Sequence, residues 1–225
     1  MRLAAGTLAR SVALLAAAGT LPVAAEPARP ARAIRVQGNQ FVDAADRPVV
    51  FRGVAVADPD KLDREGHWNR RAFEEIKAWG ANIVRLPVHP MAWRARGERS
   101  HLALLDQGVA WARDSGLYVM VDWHVIGNLR TELMQDEMYD STRKETFEFW
   151  RTVARHYRDD PVVVLYELFN EPTDYDGTLG RLIWAEWKPL LEEIVGIVRA
   201  RSARSPGRRS GRPTGAASPR STRSS

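Results

Sequence analysis

The sequence predicts an α/β fold of the (β/α)-barrel type, and three observations predict it. Short runs rich in Val, Ile and Leu alternate with stretches of helical period, the pattern of βαβ units around a parallel sheet covered on its outer face. The first of these strands leads into "GVAVADPDKL", which carries neither a G-x-G-x-x-G nor a P-loop pattern, so a nucleotide-binding doubly wound sheet is disfavoured. Polar side chains also stand at the ends of three strands, where a parallel barrel brings its chemistry together.

The elements follow in order. "IRVQGNQFVDAADRPVVFRGVAV" reads as short strands with turns at Gly38-Asn39 and at Ala44 to Pro48, and its last stretch, "VVFRGVAV", opens the parallel series. A helix is expected over Asn69 to Trp79, with Phe73, Ile76 and Trp79 on one face and Gly80 at its C-terminal cap. "NIVRLPV" is the second strand. Leu102, Leu105, Val109 and Ala112 then mark a helix that Gly116 closes, and "LYVMVDWH" is the third strand. Thr142 and Glu145 suggest a capping box ahead of a helix faced by Phe147, Trp150, Ala154 and Tyr157. Asp159-Asp160-Pro161 stops it, and "VVVLYELFNEP" carries the fourth strand into Asn170, Glu171 and Pro172. Ile183, Trp187, Leu190, Leu191, Ile194 and Val198 stripe a last helix, with Pro189 as a kink or a mark of its first turn.

Composition narrows the function classes. A chain of 225 residues with 44 % hydrophobic content can hold one domain with a sizeable core. The absence of Cys excludes disulfides, thiolate metal sites and Cys nucleophiles. Residues 1–25 read as a secretory signal: Arg2 and Arg10 form the positive region, Ser11 to Ala18 the apolar run, and Val23-Ala24-Ala25 the cleavage site. Residues 26–33 read as a linker and residues 34–200 as the domain. The expected product is a secreted protein with no membrane segment after cleavage. The net charge of +5 comes from the ends: residues 1–25 and 199–225 hold ten Arg and no acids, so residues 26–198 carry about −5 and give no reason to expect nucleic-acid binding. Residues 201–225 hold almost only Arg, Ser, Gly, Pro, Ala and Thr, which predicts a disordered tail. A basic nucleic-acid arm and a solvated tail are two readings of it. The preferred third is out-of-frame sequence from GC-rich DNA.

The strand ends carry the candidate chemistry. Arg85 in the second strand either reaches solvent between helices or, facing the barrel interior, pairs with a carboxylate. His124 ends the third strand on the face of Asp122, with Trp123 pointing the other way; a structural role and a substrate contact are both open. Pro172 forces Glu171 into extended backbone, which would hold Asn170 and Glu171 over the barrel mouth. Glu167, four residues deeper, is the expected partner of a buried cation. A carboxyl group in a partly dry pocket beside a cation and an amide suits general acid/base work. Trp68, Trp93 and Trp123 are available for sugar stacking, although core packing explains them better. The five His show no HExxH or other metal-ligand spacing, and no cofactor is implied.

Four segments in order resemble family 5 of the glycoside hydrolases, the large cellulase family of retaining (β/α)8 barrels. They are "YELFNEP", "IKAWGANIVRLPV", "LYVMVDWH" and "GNQFVDAADRPVVFRGVAV", and the resemblance spans Ile34 to Arg199. It implies an enzyme that hydrolyses β-glycosidic bonds in a polysaccharide such as a β-glucan, most directly an endo-β-1,4-glucanase. The family also contains mannanases, xyloglucanases, β-1,3-glucanases and glucosylceramide hydrolases. Glu171 would be the general acid/base, Asn170 would bind the sugar 2-hydroxyl, Arg85 would support the carboxylates and His124 would line the cleaving subsite. His89, just past the second strand, is a lesser candidate for a sugar contact. The resemblance also implies a nucleophilic Glu at the end of a seventh strand. The expectation is therefore an incomplete barrel of about four βα units, without the carboxylate that double displacement needs.

Overall fold

The computed structural model describes residues 33–174, 180 and 182–202. The expected signal segment, most of the linker and residues 203–225 of the tail lie outside them. Alternating apolar runs produce a four-stranded parallel sheet in chain order: β4 (Gly53–Ala55), β5 (Ile83–Val88), β6 (Tyr118–Trp123) and β9 (Val163–Glu167). Helices α2 (Arg70–Ala78), α4 (Glu98–Ser115) and α5 (Arg143–His156) connect these strands, and α6 (Trp184–Ser202) follows the last. This is part of a (β/α) barrel. Among the described residues no helix is long and apolar enough to cross a membrane.

Strand alternation sorts the two faces of the sheet. Val84, Leu86, Val88, Val119, Val121 and Trp123 point outward and are buried under the helices. Arg85, Pro87 and Asp122 occupy the inner face, where Arg85 and Met120 are only half-buried. The outer layer is aromatic: Phe149 of α5 stacks on Trp123 at 4.0 Å and meets Trp93 and Trp150 at 5.0 Å each. Trp68, Trp93 and Trp123 are thus core residues and offer no sugar platform.

The helix ends follow from local chemistry. The Asn69 side chain accepts from the Ala72 N–H, and the Thr142 hydroxyl accepts from the Glu145 N–H. Glu145 does not complete a capping box; its carboxylate binds Arg94 instead. Gly80 and Gly116 turn the chain out of α2 and α4 with φ of +88° and +68°. Trp79 departs from expectation. It sits at the C-cap, past the last full turn, and its side chain is 74 % exposed rather than packed beside Phe73 and Ile76. Pro189 lies inside α6, and Ile183 precedes that helix and is exposed.

Two small sheets bracket the parallel one. At the strands' N-terminal end, β1 (Arg35–Gln37), β2 (Gln40–Val42) and β3 (Pro48–Val49) form an antiparallel meander, and Phe41 packs on Phe51, which packs on Tyr118. At the C-terminal end, β7 (Ile126–Asn128) pairs with β8 (Leu133–Met134) and with β10 (Glu171–Pro172). The fourth strand therefore does not run unbroken to Pro172. It ends at Glu167, and Leu168 to Asn170 form a step. Phe169 is buried there against Trp187, and the Leu168 carbonyl accepts from Trp150 Nε1 at 3.0 Å. Short helices α1 (Pro59–Arg64) and α3 (Pro90–Arg96) and a 3-10 turn (Glu137–Tyr139), none expected from periodicity, complete that end.

One glycine reverses a common rule. Ala normally replaces Gly inside a helix with a gain of up to about 1 kcal/mol. At Gly108 of α4 an added Cβ would lie 2.6 Å from the buried Trp68 ring. Gly108→Ala is expected to destabilise the fold by about 1–3 kcal/mol through overpacking, read as a lower urea midpoint. An unchanged or higher midpoint would refute the close α4–Trp68 packing.

Candidate active site

Arg85 organises the site from the inner face of β5. Its Nε donates to Glu167 Oε2 at 2.6 Å and its Nη2 to Glu167 Oε1 at 2.9 Å. Nη2 also reaches Asn170 Oδ1 at 2.7 Å and Asp122 Oδ2 at 2.9 Å. The Arg85 side chain is 17 % exposed and Asp122 is fully buried. Of the two readings open for Arg85, the interior one holds, with Glu167 as its partner. The bonds to Glu167, followed by the charges of Asp122, Glu167 and Glu171, raise the Arg85 guanidinium against the opposing effect of burial.

Strand register explains the cluster. Pro87 is level with Asp122, and Asp122 with Glu167, so two carboxylates lie side by side one layer above Arg85 on the same face. Burial pushes the Asp122 carboxyl up, while His124 and Arg85 pull it down; the net direction is upward.

Arg85 also decides which way Asn170 points. A guanidinium only donates, so Oδ1 must be the atom that faces it. The buried Nδ2 then has no partner among the described residues and is left as a donor. Glu171 follows in β10, its N–H bonded to the Val125 carbonyl at 3.0 Å. Its side chain is exposed at the C-terminal end of the sheet and has no hydrogen-bond partner among the described residues.

Two imidazoles stand beside this pair. His124 Nδ1 lies 2.6 Å from Asp122 Oδ2. His89, at the N-cap of α3, places both its backbone N–H (2.7 Å) and its Nδ1 (3.0 Å) on Asp58 Oδ2. The His rings meet edge to face at 4.7 Å, and Tyr139 flanks them at 5.5 and 6.0 Å. Arg96 anchors α1, which Asp58 caps, by bonding Asp60 and Asp63 at 2.7 Å each. Burial works to raise the Asp58 carboxyl, but the bonds from His89 and the neighbouring His charges hold it below its ordinary value.

The structure thus brings Arg85, His89, His124, Asn170 and Glu171 to one end of the sheet. Asp58 and Tyr139 escaped the sequence reading. Asp58-Pro59 is legible as a helix start, but its tie to His89 spans 31 residues. Other acids do not join the cluster: Glu132 binds the Arg143 N–H, Asp136 caps the 3-10 turn and Asp174 binds Asn128. Among the described residues no three His, Cys, Asp or Glu side chains group as metal ligands.

The model of the family described as "Cellulase (glycosyl hydrolase family 5)" matches residues 42–205. The chain belongs to glycosyl hydrolase family 5. Endoglucanase E-5 of Thermobifida fusca is a family 5 relative, 28 % identical over 187 residues that cover 81 % of this chain and 36 % of that protein. Endoglucanase A of Butyrivibrio fibrisolvens is 23 % identical over 74 % of this chain and 36 % of its own length. Among solved structures, the β-glucanase SdGluc5_26A of Saccharophagus degradans superposes with a TM-score of 0.73 at 44 % identity, over 77 % of this chain and 52 % of that one. The same enzyme has been solved in complex with cellotetraose. The chain therefore spans about a third of the first two relatives and about half of the solved β-glucanase.

Proposed function

We propose that this family 5 chain carries the acid/base half of a secreted, retaining β-glycosidase acting on a β-glucan, most directly an endo-β-1,4-glucanase. The observation that carries the reading is the Arg85–Asn170–Glu171 arrangement. A half-buried cation fixes an amide with its donor free, immediately before an exposed carboxyl group. In the proposed reaction Glu171 protonates the glycosidic oxygen as the bond to the anomeric carbon breaks. It then takes a proton from the water that releases the sugar. Asn170 Nδ2 donates to the hydroxyl next to the anomeric carbon, a bond that gains strength as positive charge grows there.

Retention requires a second carboxyl group about 5–5.5 Å from the first. Glu167 is held by both Arg85 bonds, and Asp58, Asp122, Glu132, Asp136 and Asp174 have the structural partners described above. Turnover by this arrangement therefore needs a nucleophile from outside the described residues. The names of the relatives and the cellotetraose complex support a glucan over other polysaccharides.

The test is to titrate cellotetraose into the chain while following backbone amide resonances. Shifts centred on His124, Asn170 and Glu171, abolished by Asn170→Ala, are expected. No binding at millimolar ligand would overturn the glucan reading. Turnover of soluble β-glucan by the chain itself at the rate of a full-length family 5 enzyme, lost on Glu171→Gln, would overturn the need for an outside nucleophile.

A further inference from the structure

We propose that Asp122 is a positioning residue that holds His124 in the Nδ1–H tautomer, so that Nε2 faces the site as an acceptor for a sugar hydroxyl proton. The inference rests on the glycosidase reading for the identity of the ligand, but not for the tautomer.

The argument starts from one oxygen. Asp122 Oδ2 lies 2.9 Å from Arg85 Nη2 and 2.6 Å from His124 Nδ1. Arg85 carries no acceptor and its guanidinium lies in ion-pair contact with Oδ2, the arrangement that least favours a proton on that same oxygen. The hydrogen between Oδ2 and Nδ1 therefore belongs to the imidazole. The other oxygen, Oδ1, is buried without a partner among the described residues, so a proton taken up by this carboxyl has a separate place to reside and leaves the Oδ2 bond unchanged.

In neutral imidazole a proton on Nδ1 leaves a lone pair on Nε2. His124 is thereby an acceptor, while Asn170 Nδ2, freed by the same guanidinium, is a donor. Arg85 thus sets the polarity of both neighbours of Glu171 through one planar group. The complementary ligand presents one hydroxyl that gives its proton and another that receives one, as vicinal hydroxyls on a pyranose ring can.

The second imidazole repeats the device. Asp58 Oδ1 accepts the Asp60 N–H and Oδ2 accepts the His89 N–H, each at 2.7 Å. Both oxygens are committed as acceptors, so His89 Nδ1 donates as well. Its Nε2 has the same polarity, on a ring 4.7 Å from that of His124.

Ring-nitrogen NMR of the native chain tests the device directly. His124 is expected to carry its proton on Nδ1. In Asp122→Ala the acceptor facing Nδ1 is gone, so nothing holds the Nδ1–H tautomer and the proton moves toward Nε2. Cellotetraose affinity is then expected to fall about ten-fold, the loss of one hydrogen bond of ordinary strength. A native His124 with its proton on Nε2 overturns the proposal, even if the variant fails to fold. A tautomer switch that leaves cellotetraose affinity unchanged overturns the placement of Nε2 against sugar. Absence of cellotetraose binding in the native chain defeats the glucan reading and the sugar contact, whereas the tautomer stands or falls on the ring spectrum alone.

Discussion

Arg85→Ala is expected to lower the unfolding free energy by about 3–5 kcal/mol, the cost of stripping a buried carboxylate cluster of its cation. Arg85 pairs with both Asp122 and Glu167, and it supplies the bond that orients Asn170. The loss should depend on pH with a definite sign. Burial holds the Asp122 carboxyl above its ordinary value, so the folded state keeps a proton at a pH where the unfolded chain has released it. Stability tied to Asp122 is therefore full below the ordinary carboxylate value of about 4 and is lost as pH rises through the folded value. Removing Arg85 moves that folded value further up. The gap between native and variant urea midpoints should be widest near neutrality and narrow toward about pH 4. Arg85→Lys, which keeps the charge and loses the planar fork, should fall between the two. A gap that does not change with pH would refute the coupling.

Trp150→Ala should cost about 3–5 kcal/mol as well, for a different reason. Trp150 is fully buried, meets the rings of Phe149 at 5.0 Å and Tyr166 at 5.7 Å, and donates its indole N–H to the Leu168 carbonyl. That carbonyl lies in the step between β9 and β10, two residues before Asn170. Trp150→Phe retains the ring packing and leaves the carbonyl without its donor, with an expected loss of about 1–3 kcal/mol. It should also weaken cellotetraose binding, because the step that presents Asn170 and Glu171 loses its anchor. Urea unfolding reads the first effect and ligand titration the second. A Trp150→Phe variant with native stability and native affinity would show that the bond does not shape the step.

Legibility followed the range of the interaction. Asn69 and Thr142 cap their helices through bonds three residues long, so the chain around them announces the result. Trp79 misled because a helical stripe carries no information about where the last turn stops. The step at Leu168 was invisible for a related reason: "VVVLYELFNEP" has uniform strand character, and the break is made by Trp150 and Trp187 from two helices. Tyr139 lay in a polar loop whose composition does not reveal that it closes over two His rings.

The sequence by itself determined the alternation of four parallel strands with helices, the two faces of each strand, and the polar residues Arg85, His124, Asn170 and Glu171 in or just after those strands. These depend on period, caps and turn residues, all local in the chain. The tertiary structure decided the partnerships. Arg85 meets Glu167 across 82 residues and Asn170 across 85, and His89 meets Asp58 rather than a nearer acid. Such pairs are set by the register between parallel strands, and a residue period of two leaves that register free to slide until side chains from separate segments pack against one another.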